Sequence, residues 1–484
     1  MRSILILLKK SNGLRLTKQI LTLVILSLIV VSCDNSPKKT CGSAWVGGEI
    51  VNPKVDYVII SHNRNLIDTV PLDENNFFKY KIPQVDPGIY FLRHQEYQAF
   101  HLESGDSLMF RVNTIEFDES LTYTGKGAAK NNFLMELFLL NEEIDNLMSS
   151  FYNLSPSEFE AKMDSIKDSR YDFYKEFKNG KEAHSKSYDE VVKAAIDYSI
   201  YSKKELYISA NSKKQVYDES VAIPESFYDF RNNYDLGNES LRNYYPYFRC
   251  LGYYTDNLSF DRYKSEAPFD RNSYLHNKYK VEIIDSIITN DSLKNRLARG
   301  SVARYLLNAE NAENEEKMLS LFEEVSSNTK DIKDIQDLTQ ATIKLTPGNT
   351  IPNLLLLSTE NTIKDLHSII KKPTVIYFWS FNSIKHYKNI HIKANELRSK
   401  YPEFDFIGIN IDHHFKKWLR IVTNSGYPSN REFQFEDFDD AEKKLLVNSV
   451  NKSIILNKDA TILDSNTNIF DINLEQQLLG YINK

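Results

Sequence analysis

The spacing of apolar positions changes character twice along the chain. Between residues 45 and 130 short apolar stretches recur about every ten residues, separated by turn residues. Val55 and Tyr57-Val58-Ile59-Ile60 form one; Phe77-Phe78-Lys79-Tyr80-Lys81-Ile82 alternates until Pro83 ends it. Asp86-Pro87-Gly88 is a turn ahead of Ile89-Tyr90-Phe91-Leu92, and Ser104-Gly105-Asp106 precedes Ser107-Leu108-Met109-Phe110-Arg111-Val112. This pattern predicts a small antiparallel β sandwich or barrel.

From 131 to 340 the period becomes helical. Phe133, Leu134, Leu137, Phe138 and Leu140 fall on one face at i, i+3 and i+4 spacings. Ser155-Pro156-Ser157-Glu158 spells a helix start: Ser155 caps the amide of residue 158, Glu158 reaches back, and Pro156 suits the first helical position. Phe159, Met163 and Ile166 then mark the buried stripe, and further helices are expected over 191–200, 281–288, 293–307 and 315–325. The Tyr244-Tyr245-Pro246-Tyr247-Phe248 cluster is read as interhelical packing with its hydroxyls at the surface, in preference to a carbohydrate or peptide groove.

From 346 to 484 the pattern changes again. Val375-Ile376-Tyr377-Phe378-Trp379 is a continuous apolar run, the mark of a strand covered on both faces. A helix over 390–401, a second buried strand at 404–412, a helix over 415–423, a hairpin at 453–463 and a helix over 474–482 follow. The chain is therefore expected to be multi-domain α+β. It has an N-terminal antiparallel β domain (45–130), a central all-α region (131–340) and a C-terminal α/β domain (346–484).

The first 32 residues are read as a signal peptide. Lys9, Lys10, Arg15 and Lys18 give a basic start. The apolar run over 20–31 is too short to cross a hydrocarbon core about 30 Å thick as a stable helix. It ends in Val30-Val31-Ser32-Cys33, which resembles a bacterial lipobox; that resemblance implies cleavage before Cys33 and diacylation of its thiol. Residues 33–44, polar and bearing Pro37, would serve as a lipidated tether. The expected location is the bacterial cell envelope, membrane-anchored and facing the periplasm, at the inner or outer membrane.

Composition narrows the picture further. Lys+Arg is 60 and Asp+Glu 66, a net charge of −6 that gives no argument for nucleic-acid binding. Three cysteines rule out a disulfide scaffold; beyond Cys33 only Cys41 and Cys250 remain, and Cys250, in a Tyr-rich helical stretch, is read as buried and inert. Gly125-Lys126-Gly127 lacks the third glycine and the Lys-Ser/Thr of a phosphate loop.

The C-terminal element order, with its local phrases, resembles a thioredoxin fold of the TlpA-like or redoxin group. The matching phrases are Gly348-Asn349-Thr350-Ile351-Pro352-Asn353-Leu354, Lys372-Pro373-Thr374-Val375-Ile376-Tyr377-Phe378-Trp379-Ser380, Ile407-Gly408-Ile409-Asn410-Ile411-Asp412 and Trp418. With the lipobox and the β module, the layout resembles Bacteroidetes-type thioredoxin lipoproteins. The resemblance implies two cysteines at the start of the helix after the central strand, the first a thiolate nucleophile and the second its resolver. Here those positions are Ser383 and His386, and no cysteine exists after Cys250. The family's cis-proline position, before the hairpin strand, is Lys452. A hydroxyl forms no mixed disulfide, so dithiol exchange by this site is excluded.

The same residues offer little footing for other chemistry. Ser383, His386 and Asp412 lack an oxyanion-hole motif for acyl transfer. His386, His391, His413 and His414 with Asp412 read as solvated loop residues rather than a metal site. Trp379, Asn382, Ser383, Lys385, His386 and Asp412 remain as a possible groove for an envelope protein or peptide, and neither cofactor nor metal is expected. The functional expectation is a lipid-anchored binding or docking module. The alternative is a thiol-disulfide oxidoreductase acting through other thiols.

Overall fold

The computed structural model describes residues 42–483 apart from 64, 95, 181–184, 216–221 and 310. The signal peptide, Cys33, Cys41 and most of the tether lie outside the described residues. The chain divides into two compact units that interleave in sequence: one holds the residues up to 58 with 70–87 and 101–129, the other 59–69, 88–100 and everything from 130 on.

Eight strands come first: β1 (Ala44–Val51), β2 (Tyr57–His62), β3 (Asn65–Pro71), β4 (Phe77–Ile82), β5 (Gly88–His94), β6 (Glu96–Leu102), β7 (Ser107–Asn113) and β8 (Thr122–Lys126). They form two four-stranded sheets, ordered β4-β1-β7-β8 and β3-β2-β5-β6. The first sheet belongs to the first unit, and alternation on β7 buries Leu108, Phe110 and Val112 on one face. One pairing departs from the antiparallel expectation: β1 and β7 run parallel. They are separated in sequence by β2 to β6, so no hairpin joins them and the antiparallel constraint of a tight turn does not apply.

In the second unit, the helices are α1 (Ala128–Phe151), α2 (Pro156–Lys178), α3 (Lys186–Gln215), α4 (Tyr245–Tyr263), α5 (Tyr274–Ile287), α6 (Asp291–Leu306), α7 (Ala312–Val325) and α8 (Thr329–Lys344). The capping box forms as expected, with Ser155 Oγ accepting from the Glu158 amide and Glu158 accepting from the Ser155 amide. One aromatic-rich core joins these helices to Ile89 on β5. The tyrosine cluster packs between helices, but its chemistry differs from expectation. The Tyr247 hydroxyl is internal, donating to the Asp235 carbonyl at 2.6 Å, because a buried phenol must find a partner.

The C-terminal part carries β9 (Leu355–Leu357), β10 (Ile363–Asp365), β11 (Thr374–Trp379), β12 (Asp405–Asn410), β13 (Glu432–Phe435), β14 (Ser453–Leu456) and β15 (Ile462–Thr467). The four principal helices are α9 (Ile384–Lys400), α10 (Phe415–Ser425), α11 (Phe438–Leu445) and α12 (Leu474–Ile482). The sheet order is β10-β9-β13-β12-β11-β14-β15. β11 is parallel to β12 and antiparallel to β14, and every residue of it is buried, as its unbroken apolar run requires. Ile376 and Phe378 enter one core, with α11; Val375, Tyr377 and Trp379 enter the other, with α9, α10 and α12. A parallel strand-helix-strand unit, an antiparallel hairpin on the other edge and a closing helix make this sheet thioredoxin-like.

Candidate functional site

The candidate site lies where β11 ends and α9 begins. Asp412, just past β12, organises the link. Its carboxylate accepts from Ser380 Oγ (2.7 Å), the Phe381 amide (2.8 Å), Asn382 Nδ2 (3.1 Å) and Asn410 Nδ2 (2.9 Å). Gln434 on β13 donates to the Asp412 carbonyl and to Asn410 Oδ1. Asp412 therefore holds a loop and takes no part in a Ser-His-Asp arrangement.

Ser383 is the N-cap of α9, yet its side chain makes no capping hydrogen bond and is exposed. His386 follows one turn later. Together with Ile384, Lys385, Asn389 and Phe470 these residues line a shallow cavity of about 550 Å³. Its walls are apolar as well as polar: Ile384 is 59% and Phe470 41% exposed, and the His386 ring meets Phe470 edge-on at 6.0 Å. Burial pushes the His386 imidazolium below its usual range, opposed by the Asn451 side chain. Asn451 belongs to the loop before β14 and is followed by Lys452. Among the described residues no peptide bond is cis. Lys452 is buried and donates to the Leu445 and Leu446 carbonyls at 2.8 and 3.3 Å. Burial pulls its ammonium down to about 8, against the charge of Asp464.

Of the residues singled out from sequence, Ser383, Lys385 and His386 share the cavity. Asn382 and Asp412 sit behind it in the loop network. Trp379 is fully buried beneath it and does not reach the surface. The four histidines do not gather: His391 is buried, while His413 and His414 are exposed and face Phe438 and Phe381 respectively. Among the described residues no three His, Cys, Asp or Glu side chains approach one another closely enough to hold a metal.

A cluster that the sequence reading missed lies under the helix. Glu432, on β13 and 1% exposed, accepts from the Tyr377 hydroxyl and from Trp379 Nε1, each at 3.0 Å. His391 on α9 places Nε2 at 3.2 Å from Glu432 Oε1 and stacks on Tyr427 with ring centres 3.7 Å apart. His391 Nδ1 lies 2.6 Å from the Tyr387 carbonyl, which only accepts, so Nδ1 carries a hydrogen. Nε2 and this carboxylate oxygen are in contact, but no hydrogen bond joins them. Gly408 on β12 makes room for this carboxylate, since a Cβ there would lie 2.5 Å from Glu432 Oε2. The available signals were a glutamate inside the Glu432-Phe433-Gln434-Phe435 strand and a glycine inside an apolar one.

The remaining described thiol, Cys250 on α4, is fully buried; its Sγ lies 3.4 Å from the Tyr234 hydroxyl, and burial pushes its ionisation far up. No family model and no curated protein matches this chain. Solved structures do. A candidate thiol-disulfide oxidoreductase from Bacteroides vulgatus is 19% identical, over 28% of this chain and 97% of its own, with a TM-score of 0.25. A thioredoxin-like protein from Bacteroides caccae is 13% identical over 54% of this chain and 96% of its own, with a TM-score of 0.37. A thiol:disulfide interchange protein from a Bacteroides species is 14% identical over 29% and 93%, with a TM-score of 0.25.

Proposed function

We propose that this protein is a lipid-anchored binding module of the bacterial envelope, facing the periplasm, whose thioredoxin-like surface docks an extended peptide or envelope protein without exchanging electrons. One observation carries the reading: the helix start that would need a thiol pair presents Ser383 and His386 beside an apolar-walled cavity. Phe470, Ile384 and the nearby Ile472, 91% exposed, supply apolar surface of the kind that marks interaction sites. Thiol exchange through Cys250 is disfavoured, because a thiol buried and held protonated is a poor nucleophile. Anchoring would come from diacylation of Cys33.

The test uses the full chain with S-alkylated insulin B chain as an extended, apolar probe. Saturable binding, weakened by Phe470→Ala, is expected, with no acceleration of dithiothreitol-driven insulin reduction. Catalysed reduction that disappears in Cys250→Ser would sink the reading. For the anchor, incorporation of labelled palmitate that survives Cys33→Ala would do the same.

A further inference from the structure

Helices α4, α5 and α6 enclose another cavity, of about 230 Å³, on elements separate from the Ser383–His386 site. Its lining is cationic: Arg249, Arg271, Lys280 and Arg304 all border it. The nearby carboxylates are too few to balance them. Asp256 is shared by Arg271 (2.7 Å), Lys280 (2.5 Å) and His276 (3.1 Å). Asp145 is shared by Arg249 (3.1 Å) and Lys203 (2.8 Å). Arg304 has no carboxylate partner among the described residues, and its Nη1, shut off from solvent, has no hydrogen-bond partner either.

Holding surplus positive charge in a half-buried site is costly unless an anion completes it. Burial, and then the charge of Arg271, push the Arg304 guanidinium down, and Lys280 is depressed by burial with Arg304 and Arg271 adding to it. The mouth is aromatic: Tyr245 is 60% exposed, and Arg249 lies 5.7 Å from its ring centre and 5.4 Å from that of Tyr253. Gly252 and Gly300 leave the interior open, as a Cβ at either would meet no heavy atom within 4 Å.

We propose that this cavity binds a small ligand bearing an oxyanion, a phosphate or a carboxylate, with a flat ring or chain resting against Tyr245 and Tyr253. The anion would bridge the guanidinium groups of Arg304 and Arg271 in charge-assisted bonds, Arg304 turning to present its unpartnered Nη1 hydrogen.

Calorimetric titration of the full chain at low ionic strength with inorganic phosphate, phenyl phosphate and benzoate tests this. One saturable site is expected, with phenyl phosphate tighter than inorganic phosphate because of its ring. Preference for phenyl phosphate over benzoate, or the reverse, identifies the oxyanion. Arg304→Gln should weaken binding about tenfold or more, the size of one lost charge-assisted hydrogen bond. Gly300→Leu keeps every charge, improves helix propensity and fills the space, so it should abolish binding, and it carries the test should Arg304→Gln fail to fold. Absence of saturable binding for all three probes, or affinity unchanged in Gly300→Leu, overturns the proposal.

Discussion

The buried Glu432 carboxylate, accepting from both Tyr377 and Trp379, makes a sharp distinction between two substitutions at one position. Glu432→Ala removes the acceptor for the Tyr377 hydroxyl and for Trp379 Nε1 and leaves His391 facing a void. Two orphaned donors at about 1–2 kcal/mol each, with the broken pair added, amount to about 4–5 kcal/mol. Glu432→Gln is different. Its carbonyl can stand at the Oε2 position and accept from Trp379. Its amide then stands at Oε1 and can donate to the Tyr377 oxygen, but the Tyr377 hydroxyl hydrogen loses its acceptor. One donor, the Tyr377 hydroxyl, is orphaned instead of two, so the loss should be about 1–2 kcal/mol. Urea titration followed by tryptophan fluorescence reads this region directly, because Trp379 and Trp418 both lie in this core. Equal losses for the two variants, or an alanine variant within about 1 kcal/mol of the parent, would refute the role of Glu432 as the acceptor that ties Tyr377 and Trp379 together.

Three further outcomes follow from the same region. Gly408→Ala places a Cβ 2.5 Å from a carboxylate that has nowhere to retreat; a loss of about 2–3 kcal/mol in the same urea titration is expected, and a neutral result would show that Glu432 can move. Lys452 has its ammonium lowered from 10.5 to about 8. Between those values the unfolded chain binds the extra proton, so stability rises with pH there, by up to about 3 kcal/mol. Lys452→Met should remove that increment from a stability-against-pH curve, and parallel curves for parent and variant would contradict it. Ser383→Cys with His386→Cys restores a thiol pair one turn apart at the helix start; after mild oxidation, peptide mapping should find a 383–386 disulfide, and its absence would contradict the assignment of these two positions.

How much of this was legible in sequence depended on the length of each signal. The five-residue apolar run within β11 and the long helical stripes are strong patterns, and tertiary packing merely realises them. The strand β13, four residues with a glutamate in it, carries no such pattern, because its burial is allowed only by partners supplied from β11 and α9. Likewise α9 starts at Ile384, six residues before the expected 390. Its first turn shows exposed Ile384, Lys385 and Lys388, which obscure the apolar stripe. The pairing of β1 with β7 was not readable at all, since parallel neighbours need no shared turn.

The scaffold of the site is independent of sulfur. Thioredoxin-like chemistry would place its thiols on the first turn of α9, yet the Ser383 side chain contributes no capping hydrogen bond to that turn. Asp412 ties the loop through Ser380, Phe381 and Asn382, and β13 braces Asp412 through Gln434. Below, Glu432 fastens α9 to β11 through His391, Tyr377 and Trp379. Such a framework holds a surface in one geometry whether or not it does chemistry, and a preorganised surface is what recognition requires. The surface keeps its geometry with Ser383 and His386 in these places, and Ile384 and Phe470 stay exposed at its edge. Selection for fold stability alone would favour covering those two side chains; their exposure beside a rigid helix start is the physical reason to look for a partner there.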